Sequence, residues 1–177
     1  MFRLGHLVEG EWVAHSHPAV FTAEGRVYAG VPGGDPVVFE RLVACLPPPY
    51  HLLYVLHTPR AEAEPGRYQS PELSFDELKA FLVRFAPYLS GDGRFELWAY
   101  SPTDSGMVVW DRHNHLFGYG PVEAFASALR ALGFTSGQPE IPVPHTHYYR
   151  VELDELAREV MEVFDWSVSP LRPEDEQ

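Results

Sequence analysis

Apolar and strand-favouring residues in the first thirty positions come in short runs separated by glycine-containing turn signals, the pattern of strands rather than helices. This pattern predicts strands over residues 2–8 and 11–15 on either side of Gly10, and over 19–22 and 26–30 on either side of Glu24-Gly25. Two hairpins are the simplest account. Asp35-Pro36 then signals a helix start, since aspartate accepts from an early backbone N–H and proline fits the first turn. Val38, Leu42, Cys45 and Leu46 give that helix its apolar stripe, and Pro47-Pro48-Pro49 ends it.

Residues 51–57 (HLLYVLH) form a short apolar run of the kind found in a central strand covered on both faces. The stretch 58–73, with Pro59, Pro65-Gly66 and Pro71, reads as a long connection, a lid or a surface excursion. Ser74-Phe75-Asp76-Glu77 has the form of a capping box, and Leu78, Phe81, Leu82, Phe85 and Leu89 follow at helical spacing until Pro87 kinks or ends the helix. Residues 95–101, 107–111 and 115–119 read as a three-stranded meander with Arg112-His113-Asn114 at its second turn. Gly120-Pro121 opens a helix with Val122, Phe125, Ala126, Leu129 and Leu132 on one face, closed by Gly133. Pro139, Pro142 and Pro144 favour an extended chain leading into a strand over 145–152. Asp154 begins a last helix with Leu156, Ala157, Val160, Val163 and Phe164 inward and Glu155, Arg158, Glu159 and Glu162 outward.

Strands that pair with sequence neighbours, interspersed with about four helices, predict an α+β domain: a mixed, largely antiparallel sheet with the helices packed mainly on one face. At 177 residues one domain over 1–168 is expected, followed by a frayed acidic tail over 169–177.

Composition narrows the functional classes. Cys45 is the only cysteine, which excludes an intrachain disulfide and any CxxC-type site and favours a reducing, cytoplasmic setting. The first residues lack an apolar run and a small-residue cleavage site, and no stretch of eighteen apolar residues occurs, so neither export nor a membrane span is expected. The net charge is −12, and from Glu152 onward nine acids face two arginines, which places seven of those twelve charges in the last helix and tail. Such a field repels phosphate backbones and anionic lipid and suits a basic protein surface. Glu155, Glu159 and Glu162 are the candidate contacts for such a partner. In composition the chain is like small inhibitor- or immunity-type proteins, which makes a non-catalytic, acidic protein-binding module without a cofactor the first expectation.

Candidate chemistry lies in the histidines. His15-Ser16-His17, His113-Asn114-His115 and His145-Thr146-His147 are three pairs with one residue between, where nine histidines placed at random would give about 0.4 such pairs. On a strand, residues two apart share a face, so each pair can aim two imidazoles at one ion. His145 and His147 are the best pair because the prolines before them favour extension. A third ligand has to come from another segment, with His15, His17, His113 and Asp111 as candidates. His113 and His115 straddle a turn and need not share a face. The second expectation is thus a metal-dependent hydrolase using zinc or another first-row divalent metal. There is no GxSxG elbow, and the single lysine, Lys79, cannot complete a phosphate-binding loop. Trp98, Tyr100 and Trp110 on the meander are expected to form a cross-strand aromatic cluster, as core or as the floor of a ligand pocket.

Overall fold

The strand-forming runs of the first thirty residues become two hairpins in the computed structural model, which describes residues 2–175. Strands β1 (Leu4–Val8) and β2 (Glu11–Ala14) pair antiparallel, as do β3 (Val20–Glu24) and β4 (Arg26–Gly30). Gly10 and Gly25 occupy the turns at φ values of 90° and 73°, a backbone region that residues bearing a Cβ seldom enter. Helix α1 (Pro36–Val43) starts where Asp35 Oδ1 accepts from the Val37 amide at 2.9 Å. The apolar run forms β5 (His51–Leu56).

The connection read as a loop holds a further strand, β6 (Gly66–Gln69), which pairs with β5. Its brevity and its flanking proline and glycine hide it from pattern reading. Helix α2 (Phe75–Arg84) carries both halves of the capping box, and Pro87 starts a new helix, α3 (Ala86–Gly91), rather than only ending the old one. Then follow β7 (Phe95–Ser101), β8 (Gly106–Trp110), β9 (His115–Tyr119), α4 (Val122–Ala131), β10 (Thr135–Ser136), β11 (His145–His147), α5 (Asp154–Glu162) and β12 (Ser167–Ser169). Strand β11 is shorter than the expected 145–152, because the chain turns into a 3-10 segment, Val151–Leu153, before α5.

Among the described residues, nine strands form one sheet in the order β10-β3-β4-β9-β8-β7-β5-β6-β12, in which only the β10–β3 pair is parallel. A separate antiparallel sheet has the order β11-β1-β2. The chain is thus a single α+β domain with a mixed, mostly antiparallel large sheet. Directly opposed residues share a face. Leu97 opposes Trp110 and Trp98 opposes Val109, so Trp110 points to the face opposite Trp98 and Tyr100. The expected three-membered aromatic cluster therefore does not form. Trp110 is fully buried against Phe39 of α1, with ring centroids 6.0 Å apart. On that same buried side, Tyr88 of α3 stacks on Phe95 at 5.0 Å and Phe125 of α4 fills the space beside Gly118.

Two polar staples join the small sheet and the chain ends to this core. Arg3 is fully buried, its guanidinium 4.6 Å from the ring centroids of both Phe95 and Trp110, and it donates to Asp111 O at 2.9 Å and Leu89 O at 2.6 Å. Burial lowers its pKa to about 10, with Asp111 and Asp92 opposing the shift, so the group stays charged at neutral pH. Arg94, also fully buried, bridges Asp92, Glu62 and Asp154. Asp92 in turn accepts from the Arg150 amide at 2.8 Å, which anchors the segment that follows β11.

The end of the chain differs from a frayed tail. Strand β12 pairs with β6, and Asp175, 3% exposed, forms an ion pair with Arg67, whose guanidinium lies over the Trp98 ring. A buried arginine needs a counter-charge, and this acid supplies it. Residues 176 and 177 of the expected tail lie outside the described residues. Among the described residues no helix is long and apolar enough to cross a membrane.

Candidate metal centre

The small sheet brings four histidines onto one face. Leu4 opposes His147 and His6 opposes His145, while the His15 amide donates to Leu4 O at 2.8 Å and so continues the ladder beyond β2. By the period of two, His6, His15, His145 and His147 all lie on the Leu4 side.

The turn between β8 and β9 supplies the opposing histidines. Asp111 shapes it: its Oδ1 accepts from the amides of His113 at 2.9 Å and His115 at 2.8 Å, and Asn114 takes a φ of 61°. Asparagine tolerates that left-handed geometry better than most residues. The two rings of this pair then diverge, with centroids 6.3 Å apart. His113 turns to His147 at 4.8 Å and His145 at 5.2 Å, whereas His115 turns to His17 at 4.7 Å and Tyr28 at 5.0 Å. His17 meets His15 at 4.6 Å, and His15 meets His6 at 5.0 Å. Seven of the nine histidines therefore form one continuous cluster.

Within it, one ligand nitrogen each from His113, His145 and His147 lies within 4.8 Å of the others. Three nitrogens bound to a tetrahedral ion at about 2.0 Å stand roughly 3.3 Å apart, so the rings have to draw closer to share one. Burial comes first among the causes that lower the His147 pKa, to about 3, followed by His113 and Arg112. His145 is lowered by burial and then by the same two neighbours. Both rings are consequently neutral at pH 7, the form that binds metals. His145 Nδ1 and His147 Nε2 are buried and find no hydrogen-bond partner among the described residues.

Asp111 supports this triad without joining it. Its Oδ2 lies 3.6 Å from His113 Nδ1 and 3.3 Å from His115 Nδ1. Burial would raise its pKa, but the hydrogen bonds and charges of His113 and His115 outweigh burial and hold it well below the usual carboxylate range. An ionised carboxylate on the far nitrogen of a ligating imidazole orients the ring and increases its basicity.

A cavity of about 360 Å³ opens beside Asp111 and His113 on the outer face of the large sheet, walled by Trp98, Val109, Phe117 and Tyr119 and bearing Arg26 and Glu96. Arg26 is held over Phe117 at 5.0 Å and donates to Tyr119 Oη at 2.8 Å.

The structure unites His145 and His147 with His113, one of the third ligands anticipated. It places His15 and His17 in the adjoining part of the cluster instead. Asp111 touches the rings rather than the triad's centre. His6 escaped sequence reading because it has no histidine two residues away; only its register opposite His145 brings it in. Trp98 borders the cavity, Tyr100 lies farther along the same face in a neighbouring one with His51 and Leu53, and Trp110 is in the core. On α5, Glu155 and Glu162 are exposed, whereas Glu159 is ion-paired with Arg84 at 2.8 Å. No protein-family model, curated protein or solved structure matches this chain.

Proposed function

We propose that this chain binds a first-row divalent metal through His113, His145 and His147 and uses it to hydrolyse a substrate seated in the cavity that His113 borders. The observation that carries this reading is the pair of buried, partnerless nitrogens on His145 and His147, converging with His113 from a segment some thirty residues away. A buried polar atom without a partner costs about 1–3 kcal/mol, and native structures rarely keep one without a use. A coordinated cation removes that cost for both nitrogens at once. Three imidazoles with the fourth position left open form the ligand set of catalytic zinc sites, and imidazole also suits nickel, copper and iron. When bound, such an ion supplies Lewis acidity and lowers the pKa of a coordinated water to about 7. In this scheme Asp111 orients His113, and the aromatic wall of the cavity excludes bulk water and holds an apolar part of the substrate.

This reading takes precedence over that of an acidic protein-binding module. The histidine arrangement involves specific unpaired atoms, whereas the acidic helix already uses Glu159 on Arg84 and Asp154 on Arg60 and Arg94. Elemental analysis of untagged protein is the direct test. About one zinc, nickel or manganese per chain is expected to survive dialysis, and to be lost in a His113→Ala, His145→Ala, His147→Ala variant that still folds by circular dichroism. Wild-type protein that retains no metal after incubation with each ion, or a folded triple variant that retains it fully, refutes the proposal.

A further inference from the structure

The remaining histidines of the cluster also hold unused donors. We infer that His6, His15 and His17 form a second, weaker transition-metal site, built from a ligand set that shares no residue with His113, His145 and His147. His6 Nδ1, His15 Nε2 and His17 Nδ1 are buried and lack a hydrogen-bond partner among the described residues. The three rings are consecutive neighbours, 5.0 Å from His6 to His15 and 4.6 Å from His15 to His17.

The tautomer of His17 is decided by the fold. The residue is 3% exposed, and its Nε2 lies 2.8 Å from the His113 carbonyl oxygen, which can only accept. Nε2 therefore carries the proton, and in the neutral ring Nδ1 presents a lone pair without first losing a proton. Gly30 makes room for this placement, since a Cβ there would sit 2.6 Å from His17 Cβ. His115, although next to His17, is not available as a ligand. Its Nδ1 faces Asp111 Oδ2 at 3.3 Å and its Nε2 meets Tyr28 Oη at 3.2 Å, so both nitrogens are engaged.

The donors are all imidazole, with no carboxylate among them. That selects borderline cations such as zinc, cobalt, nickel or copper over magnesium or calcium, which require oxygen. Geometry makes this site the weaker one. Among the described residues, only His113, His145 and His147 already hold their three donor atoms within 4.8 Å of one another. The rings of His6 and His15, and of His15 and His17, meet edge-on at 90°, and these contacts must open before three lone pairs can share an ion. The two sites also touch, through His6 opposite His145 and through the His17 to His113 hydrogen bond, so a second dication enters against the charge of the first.

The test is calorimetric titration of untagged, metal-free protein with cobalt(II), read in parallel by the visible spectrum of the bound ion. Wild type should take two equivalents, the second at least about tenfold weaker than the first. A His6→Gln, His15→Gln variant should lose the second equivalent and keep the first, and the His113→Ala, His145→Ala, His147→Ala variant should do the reverse. As a check that needs no substitution, two-bond proton–nitrogen correlation spectra of the imidazoles should show zinc shifting His17 Nδ1 only in the second phase. A single equivalent abolished by the first-triad substitutions overturns this inference and leaves the proposed function standing. So does a second equivalent that survives His6→Gln, His15→Gln. Absence of any binding overturns both.

Discussion

Acidification of the metal-free protein tests whether the buried imidazoles are as poorly solvated as the structure implies. The folded state holds the His147 pKa at about 3 and that of His17 at about 4, each against an ordinary 6.5, with burial as the leading cause in both. An unfolded chain takes up these protons near pH 6.5 while the native chain still refuses them. Below 6.5 the unfolded state thus binds more protons, and stability falls as the pH falls, until it levels off as the native rings titrate near 4 and 3. At about 1.4 kcal/mol per pH unit, the two rings together cost roughly 6 kcal/mol at pH 4, and screening by partial exposure of His147 and by water entry halves this to about 3 kcal/mol. For a domain of this size that is a drop in Tm of about 6–12 °C between pH 7 and pH 4. Scanning calorimetry in the presence of a chelator measures it, with His17→Gln, His147→Gln as the comparison. Asp111 contributes in the same direction but only at lower pH, since its depressed pKa matters below the normal carboxylate range. A double variant that loses as much stability over this interval as wild type would refute the argument, because carboxylates elsewhere would then account for the acid response.

Two further outcomes follow from contacts around the site. Asp111→Asn removes the carboxylate behind His113 and should weaken the tight metal equivalent about 10–100-fold, measured by competition with a chromophoric chelator. Arg94→Met strands Asp92 without its buried cation and should destabilise the fold by about 3–5 kcal/mol in urea titrations, with β11 and the 150–154 segment losing amide-exchange protection first; a loss below 1 kcal/mol would mean that Asp92 is hydrated rather than dry.

Local physics made much of the fold legible. The hairpin around Gly10, the Asp35 and Ser74 caps and the stripe on 122–132 each depend on neighbours within a turn or a hairpin, so propensity and pattern reach them. Strands β6 and β12 were not legible, because two short polar segments about a hundred residues apart become strands only by adding to the same sheet edge. The face of Trp110 lay beyond the sequence for a related reason: a cross-strand partner is set by register, and Leu97, not Trp98, stands opposite it. The charge count of the last helix and tail likewise concealed that Asp175, Glu159 and Asp154 are consumed by arginines far away in the chain.

What the amino-acid order determined by itself is the potential for coordination: a one-residue spacing on an extended chain puts His145 and His147 on one face whatever surrounds them. Only the tertiary structure decided which donors meet. The Asp111 turn sends His113 to one triad and His115 away from it, and the strand register sets the isolated His6 opposite His145. Those placements arise from packing between segments up to about 140 residues apart, and spacing along the chain carries no information about a meeting point that folding alone creates.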